Sequence, residues 1–128
     1  MAKNVVESGV LSQFLGAWHE DFYGGTKVKE FEKKWSKWLG VKYSVFVNSG
    51  SSACLLAIAS LDLEPGSEII TPALTFSTTV GCIAKNDLIP VFVDVEPYTY
   101  CIDATKIEES ITEKTVAILI NGLSCNVY

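Results

Sequence analysis

Six consecutive residues, Asn48-Ser49-Gly50-Ser51-Ser52-Ala53, set three hydroxyls, a carboxamide and a glycine between an apolar stretch, Tyr43 to Val47, and a run of small and apolar residues, Ala53 to Leu61. A strand that feeds a helix through such a turn builds an anion site. The first N–H groups of a helix lack internal partners and stand at the positive end of its dipole, so a phosphate there is held by amides and by the hydroxyls of Ser51 and Ser52. Gly50 lets the anion approach the backbone closely. The same residues also serve as ordinary N-caps, through Asn48, Ser49 or Ser51, and capping carries no function. On these six residues alone both readings stand.

The elements that would position this turn follow from periodicity. From Val41 onward the pattern alternates: a strand over 43–47, a helix over 51–61, a turn at Glu64-Pro65-Gly66, a strand over 68–71, a helix over 76–86 and a strand over 89–95. A helix over 104–111, capped by Asp103, and a last strand over 115–120 complete it. Such alternation predicts an α/β fold of three layers, a mostly parallel sheet flanked by helices. Near-continuous apolar strands such as Val91-Phe92-Val93 and Ala117-Ile118-Leu119-Ile120 fit burial on both faces, and Pro90 should mark the start of its strand.

Ahead of this, residues 1–40 read as helices. Val6, Val10, Leu11, Phe14, Leu15 and Trp18 have helical spacing, interrupted by Gly9 and Gly16. After the loop at Tyr23-Gly24-Gly25, with Thr26 as a cap, Val28, Phe31, Trp35 and Trp38 recur at helical spacing up to Leu39, and Gly40 follows the helix end. The tryptophans are expected to pack in a core. Lys29, Lys33, Lys34 and Lys37, interrupted by Glu30 and Glu32, are read as a solvated face. With no repeat or linker, residues 1–128 are expected to form a single unit.

At 128 residues and a net charge of −5, with ten lysines and no arginine, the chain lacks the basic clusters and guanidinium forks of nucleic-acid binders. Any phosphate must be held by amides and hydroxyls, helped by a lysine or by groups outside the chain. Cys54, Cys82, Cys101 and Cys125 are widely spaced and accompanied by one histidine, His19, so no metal site is expected. Three of the cysteines sit in apolar surroundings and read as buried. No apolar run suggests a signal peptide or a membrane span, so a reduced cytoplasmic setting is the default.

The succession of motifs says more than any one of them. Gly24-Gly25, Phe31-Glu32, Leu39-Gly40-Val41, the Ser-Gly-Ser-Ser turn, Pro65-Gly66-Ser67-Glu68-Ile69-Ile70-Thr71-Pro72, Thr75-Phe76, Ile89 to Val95 and Thr115 to Ile118 follow one another at fitting distances. From about Gly24 to Ile120 this resembles the N-terminal part of the DegT/DnrJ/EryC1/StrS family, pyridoxal-phosphate enzymes acting on nucleotide-linked keto sugars. The resemblance implies the N-terminal portion of a fold-type I large domain and pyridoxal 5'-phosphate as cofactor. It places the phosphate at Gly50, Ser51 and Ser52 and the pyridine ring against Phe76. A core aromatic is the alternative for Phe76, and Ser77, Thr78 and Thr79 read first as caps of the helix they open. Gly24-Gly25 falls where the family brings a loop near the active site of a dimer.

The resemblance further implies transfer of an amino group from an amino acid, usually glutamate, to the sugar. The family's lysine, which condenses with the cofactor aldehyde, and the carboxylate that keeps the ring nitrogen protonated both map beyond residue 128. No catalytic residue is therefore assigned, and this chain alone is expected not to transaminate. Thr75-Phe76-Ser77-Thr78-Thr79-Val80 and Asn86 to Val91 also look like the sugar 3-dehydrase subgroup, which removes a hydroxyl and carries histidine for lysine. At the end of the chain Cys125 precedes Asn126 where a glycine is usual, and Asn121-Gly122 replaces a more usual Pro or His. A non-enzymatic phosphate-binding module of flavodoxin type is the remaining alternative; it leaves Thr75-Phe76 unexplained. Self-association, as a homodimer or more, is expected of an incomplete sheet.

Overall fold

Between the Pro65-Gly66 turn and Pro72 two isoleucines stand in succession, and in the computed structural model this stretch is the central strand, β1 (Glu68–Pro72). The structure describes residues 2–11, 17–19 and 22–123. The chain, expected as a single unit with a change of pattern after residue 40, divides into two compact units, Met1–Phe46 and Val47–Tyr128.

In the second unit β1 pairs in parallel with β2 (Ile89–Val93) on one side and β3 (Thr115–Ile118) on the other, giving the order β2-β1-β3. This is the parallel sheet expected of the alternating pattern, but its outer strands are not buried on both faces as expected: Phe92 and Ile118 are exposed, for no layer of this unit covers them. Ile70 stands opposite Val91 and Ile118. Neighbouring strands present matched residues to the same face, so successive residues of β1 serve opposite cores. Ile69 joins Ile58, Cys82, Ile83 and Leu88 beneath two helices. Those helices are numbered in chain order after α1 (Ala2–Glu7) and α2 (Thr26–Leu39) of the first unit; they are α3 (Gly50–Ala59) and α4 (Ser77–Ala84). Ile70 joins Val93 and Ile102 on the other face, with Val91 and Ile107 against them. Pro90, second in β2, sits on an edge strand, where its missing N–H costs least.

Gly66 adopts φ +84° in the turn that enters β1, a conformation open to glycine without strain. The expected helix over 104–111 is instead two 3₁₀ turns, Ala104–Lys106 and Glu108–Ser110. Two turns between the Asp103 cap and Thr112 are too few to offset the nucleation cost of an α-helix, and i→i+3 bonds close sooner. Asp103 does cap: its carboxylate accepts from the Thr105 hydroxyl at 2.6 Å and from the Thr105 amide at 3.0 Å. The Thr105 hydroxyl, foremost, holds the Asp103 carboxyl below the usual carboxylate range.

The largest correction concerns residues 43–47, expected as a strand. They form no ladder. Ser44 Oγ donates to the Glu32 carbonyl at 2.7 Å, and the Phe46 amide donates to Glu32 Oε1 at 2.8 Å, so this stretch is tied to α2. Thr26 is the first residue of α2 rather than its cap, and Gly25 holds the cap position without a side-chain bond. Gly40 ends α2 as expected, at φ +70° with its N–H on the Ser36 carbonyl. Trp35 and Trp38 are not core residues: their rings meet at a tilt, 5.0 Å between centroids, and Trp38 is 73% exposed. In the N-terminal segment, expected to hold a short helix or two, α1 is one short helix, and Phe14, Leu15 and Gly16 lie outside the described residues.

Ile83, fully buried, is expected to cost about 2–5 kcal/mol of stability when replaced by Ala. Trp38→Ala should cost no more than an aromatic pair, at most about 1.5 kcal/mol. Urea denaturation followed by far-ultraviolet circular dichroism measures both, and equal losses would mean that Trp38 is packed after all.

Candidate functional site

In a parallel α/β unit each helix runs against the strands it joins. The N-termini of α3 and α4 therefore stand at the carboxyl end of the sheet, where open α/β sheets bind ligands. The two are held together there, for Ser51 Oγ lies 3.1 Å from Thr78 Oγ1.

The first turn of α3 divides its donors in two. Ser49 is the N-cap, and its hydroxyl accepts from the Ser52 amide at 3.1 Å, so the capping reading is correct for this residue. The Ala53 amide bonds to the Ser49 carbonyl at 3.0 Å. Among the described residues the Gly50 and Ser51 amides find no acceptor. Capping therefore consumes one donor and leaves two for a ligand. The Ser52 hydroxyl donates to Asn48 Oδ1 at 2.7 Å, which ties the turn back on itself.

Gly50 has an ordinary φ, and a Cβ built on it would meet nothing within 4 Å. Nothing in the chain's own packing demands glycine there, which fits a position left bare for a ligand. A cleft of about 330 Å³ opens beside this turn between α3 and α4, with Ser51, Ser52, Thr78, Cys82 and Lys85 among its walls. Among the described residues no carboxylate lines it, although the chain is net acidic. Phe76, at the N-cap of α4, is 74% exposed, so the core-aromatic alternative does not describe it. The caps expected of Ser77, Thr78 and Thr79 take another form. All three lie within α4, Phe76 makes no side-chain cap bond, and Thr75 Oγ1 donates to Thr79 Oγ1 at 2.8 Å.

Ser51, Ser52, Thr78 and the exposed Phe76 are thus gathered at one end of the larger unit. A family model, the DegT/DnrJ/EryC1/StrS aminotransferase family, matches residues 14–127. The chain belongs to the DegT/DnrJ/EryC1/StrS aminotransferase family. The lipopolysaccharide biosynthesis protein RfbH of Salmonella typhimurium is 49% identical over 98 residues, covering 70% of this chain and 22% of RfbH. The 3-oxo-glucose-6-phosphate:glutamate aminotransferase of Bacillus subtilis is 40% identical over 98 residues, covering 77% of this chain and 22% of that enzyme. In three dimensions the chain is similar to the E. coli GDP-4-keto-6-deoxy-D-mannose-3-dehydratase with bound hydrated PLP, with a TM-score of 0.78 at 35% identity over 92% of this chain and 29% of the other. The chain thus spans under a third of these relatives. Family members include sugar aminotransferases and 3-dehydratases, their fold is that of the fold-type I enzymes, and pyridoxal phosphate is the family's cofactor. The donor set fits its phosphate: two open amides, the Ser51 hydroxyl and, among the described residues of the cleft, no acidic neighbour.

Three contacts at this site were not legible in the sequence: the Ser51–Thr78 pair, Lys85 in the cleft wall, and the Cys82 thiol donating to the Ser51 carbonyl at 3.6 Å. Sequence spacing alone cannot pair residues on separate helices. The described cysteines follow expectation in part, with Cys82 and Cys101 buried and Cys54 half-buried; Cys125 and Asn126 lie outside the described residues. Among the described residues no cluster of His, Cys, Asp or Glu could hold a metal, and no helix is long and apolar enough to cross a membrane.

Burial, then the neighbouring Cys82 thiol, pushes the Cys54 thiol above its ordinary range. The thiolate is the reactive form, so alkylation of Cys54 by iodoacetamide should be slower in the folded chain and rise with pH through a later midpoint than in the urea-unfolded chain. Coincident midpoints would mean that Cys54 is solvated.

Proposed function

We infer that this chain supplies the phosphate cradle and ring plate of a pyridoxal-phosphate enzyme that aminates a nucleotide-linked keto sugar, with an amino acid such as glutamate as donor. The observation that carries the reading is the first turn of α3, where among the described residues the Gly50 and Ser51 amides find no acceptor and no carboxylate lines the cleft beside the Ser51 hydroxyl. These donors bind the phosphate dianion and anchor the cofactor. The exposed ring of Phe76 would lie against the pyridine, orient it and keep water from that face. When bound, the cofactor supplies an aldehyde for the donor amine and an electron-accepting ring. No lysine of this chain is assigned to the aldehyde and no carboxylate to the ring nitrogen.

A second reading is the 3-dehydratase, which removes a hydroxyl instead of adding an amine; the likeness in fold to the E. coli enzyme over 92% of the chain supports it. The cradle and plate serve both reactions alike. A homodimer belongs to either reading, supported by the apolar side chains left exposed on α2 (Trp35, Trp38) and on β3 (Val116, Ile118). The free thiols at Cys54, Cys82 and Cys101 support a reduced, cytoplasmic setting.

Pyridoxal 5'-phosphate should bind the 128-residue chain saturably and in competition with inorganic phosphate. Ser51→Ala should weaken binding about tenfold, the worth of a hydrogen bond to a charged group, and Gly50→Val should abolish it by filling the cradle. Absorbance titration reads all three, and a Gly50→Val chain with unchanged affinity would exclude this turn as the phosphate site. Incubated with glutamate and a nucleotide-linked keto sugar, the chain should give no steady turnover; amino-sugar product detected by mass spectrometry would overturn the absence of a catalytic lysine.

A further inference from the structure

Ser51 is gripped from α4 at two points. Its hydroxyl lies 3.1 Å from Thr78 Oγ1, and its carbonyl accepts from the Cys82 thiol at 3.6 Å. Residues 78 and 82 are one helical turn apart, so one face of α4 holds both the side chain and the main chain of a single residue of α3. Ser52 is served differently. Its amide goes to Ser49 Oγ and its hydroxyl proton to Asn48 Oδ1, so it is satisfied within its own turn.

The difference decides which hydroxyl can serve a phosphate. A phosphate dianion only accepts, so the hydroxyl facing it must still have a proton to give. The Ser52 proton is committed to Asn48. The Ser51–Thr78 pair has two protons and can be arranged either way round.

Resting on the cradle reading above, we propose that Thr78 is a positioning residue for the cofactor phosphate. It donates its hydroxyl proton to Ser51 Oγ and leaves the Ser51 proton free to point at the phosphate. The chain Thr78 to Ser51 to phosphate is cooperative, each bond polarising the next. The Cys82 thiol fixes the Ser51 carbonyl and so limits how far the first turn of α3 can rotate. Thr78 itself touches neither the phosphate nor a reacting atom. The two serines are then unequal: Ser51 supplies the donating hydroxyl, and Ser52 shapes the turn.

The test titrates pyridoxal 5'-phosphate into the full chain, read by the phosphorus-31 resonance, with thermal melting measured on every variant. Thr78→Val keeps shape and removes the hydroxyl; it should weaken binding about three- to tenfold with little change in melting. Thr78→Ser should restore affinity to within about twofold, since serine keeps the same donor. Ser51→Ala should lose more affinity than Ser52→Ala. If Thr78→Val binds as tightly as the wild type while Ser51→Ala is weakened, the role of Thr78 falls and the cradle stands. A loss that merely tracks a lowered melting temperature, or one that Thr78→Ser fails to rescue, also overturns it. Absence of saturable binding by the wild type, or no effect of Ser51→Ala, would sink the cradle reading and the inference with it.

Discussion

Burial of β1 on both faces is the constraint on which the larger unit depends. Ile69, Ile70, Thr71 and Pro72 are all buried within five residues of chain, and each face of the strand belongs to a different core. A central parallel strand can be satisfied only if neighbours take its N–H and C=O groups on both edges and apolar layers cover both faces. β2 and β3 supply the edges, α3 and α4 one face, and the 3₁₀ turns with Ile102 and Ile107 the other. The place of the two helix N-termini then follows without further choice. Helices that cover a parallel sheet run against it, so both begin at the strands' carboxyl end.

What gathers there is suited to an anion for reasons of supply as much as of shape. The chain has no guanidinium to offer and carries a net negative charge. A phosphate there would have to be held by backbone amides at helix ends and short hydroxyl side chains, which act at contact range and need a site clear of carboxylates. The cleft wall meets that condition, and Lys85 places a cation within it. The price of such a site is precise orientation, because a hydroxyl has one proton and its direction must be set. The contacts made here are the Ser52 hydroxyl on Asn48 Oδ1, within the turn, and the Ser51–Thr78 hydroxyl pair, across to the neighbouring helix.

Much of this was legible one element at a time. The Ser-Gly-Ser-Ser turn before a run of small residues announced α3. The Pro65-Gly66 turn before two isoleucines announced β1, and the tryptophan-bearing amphipathic pattern ending on Gly40 announced α2. Legibility stopped where an element depends on a neighbour. Residues 43–47 have the composition of a strand, yet a strand exists only where another offers its edge, and Glu32 satisfies part of this stretch instead. Trp35 and Trp38 have the spacing of a core face, yet spacing cannot say whether anything covers it. The segment after Asp103 carried a sound cap signal and too few turns to become an α-helix.

By itself the sequence determined most of the alternation of strands and helices, the parallel sheet, and the turn that opens α3, because periodicity, capping and helix-end electrostatics act over a few neighbouring residues. The tertiary structure alone decided that Thr78 meets Ser51, that Cys82 meets its carbonyl, that Phe76 stands exposed, and that no carboxylate among the described residues shares the cleft. Those facts join residues about 30 positions apart on two helices, and only the packing of both helices on one face of the sheet brings them within reach.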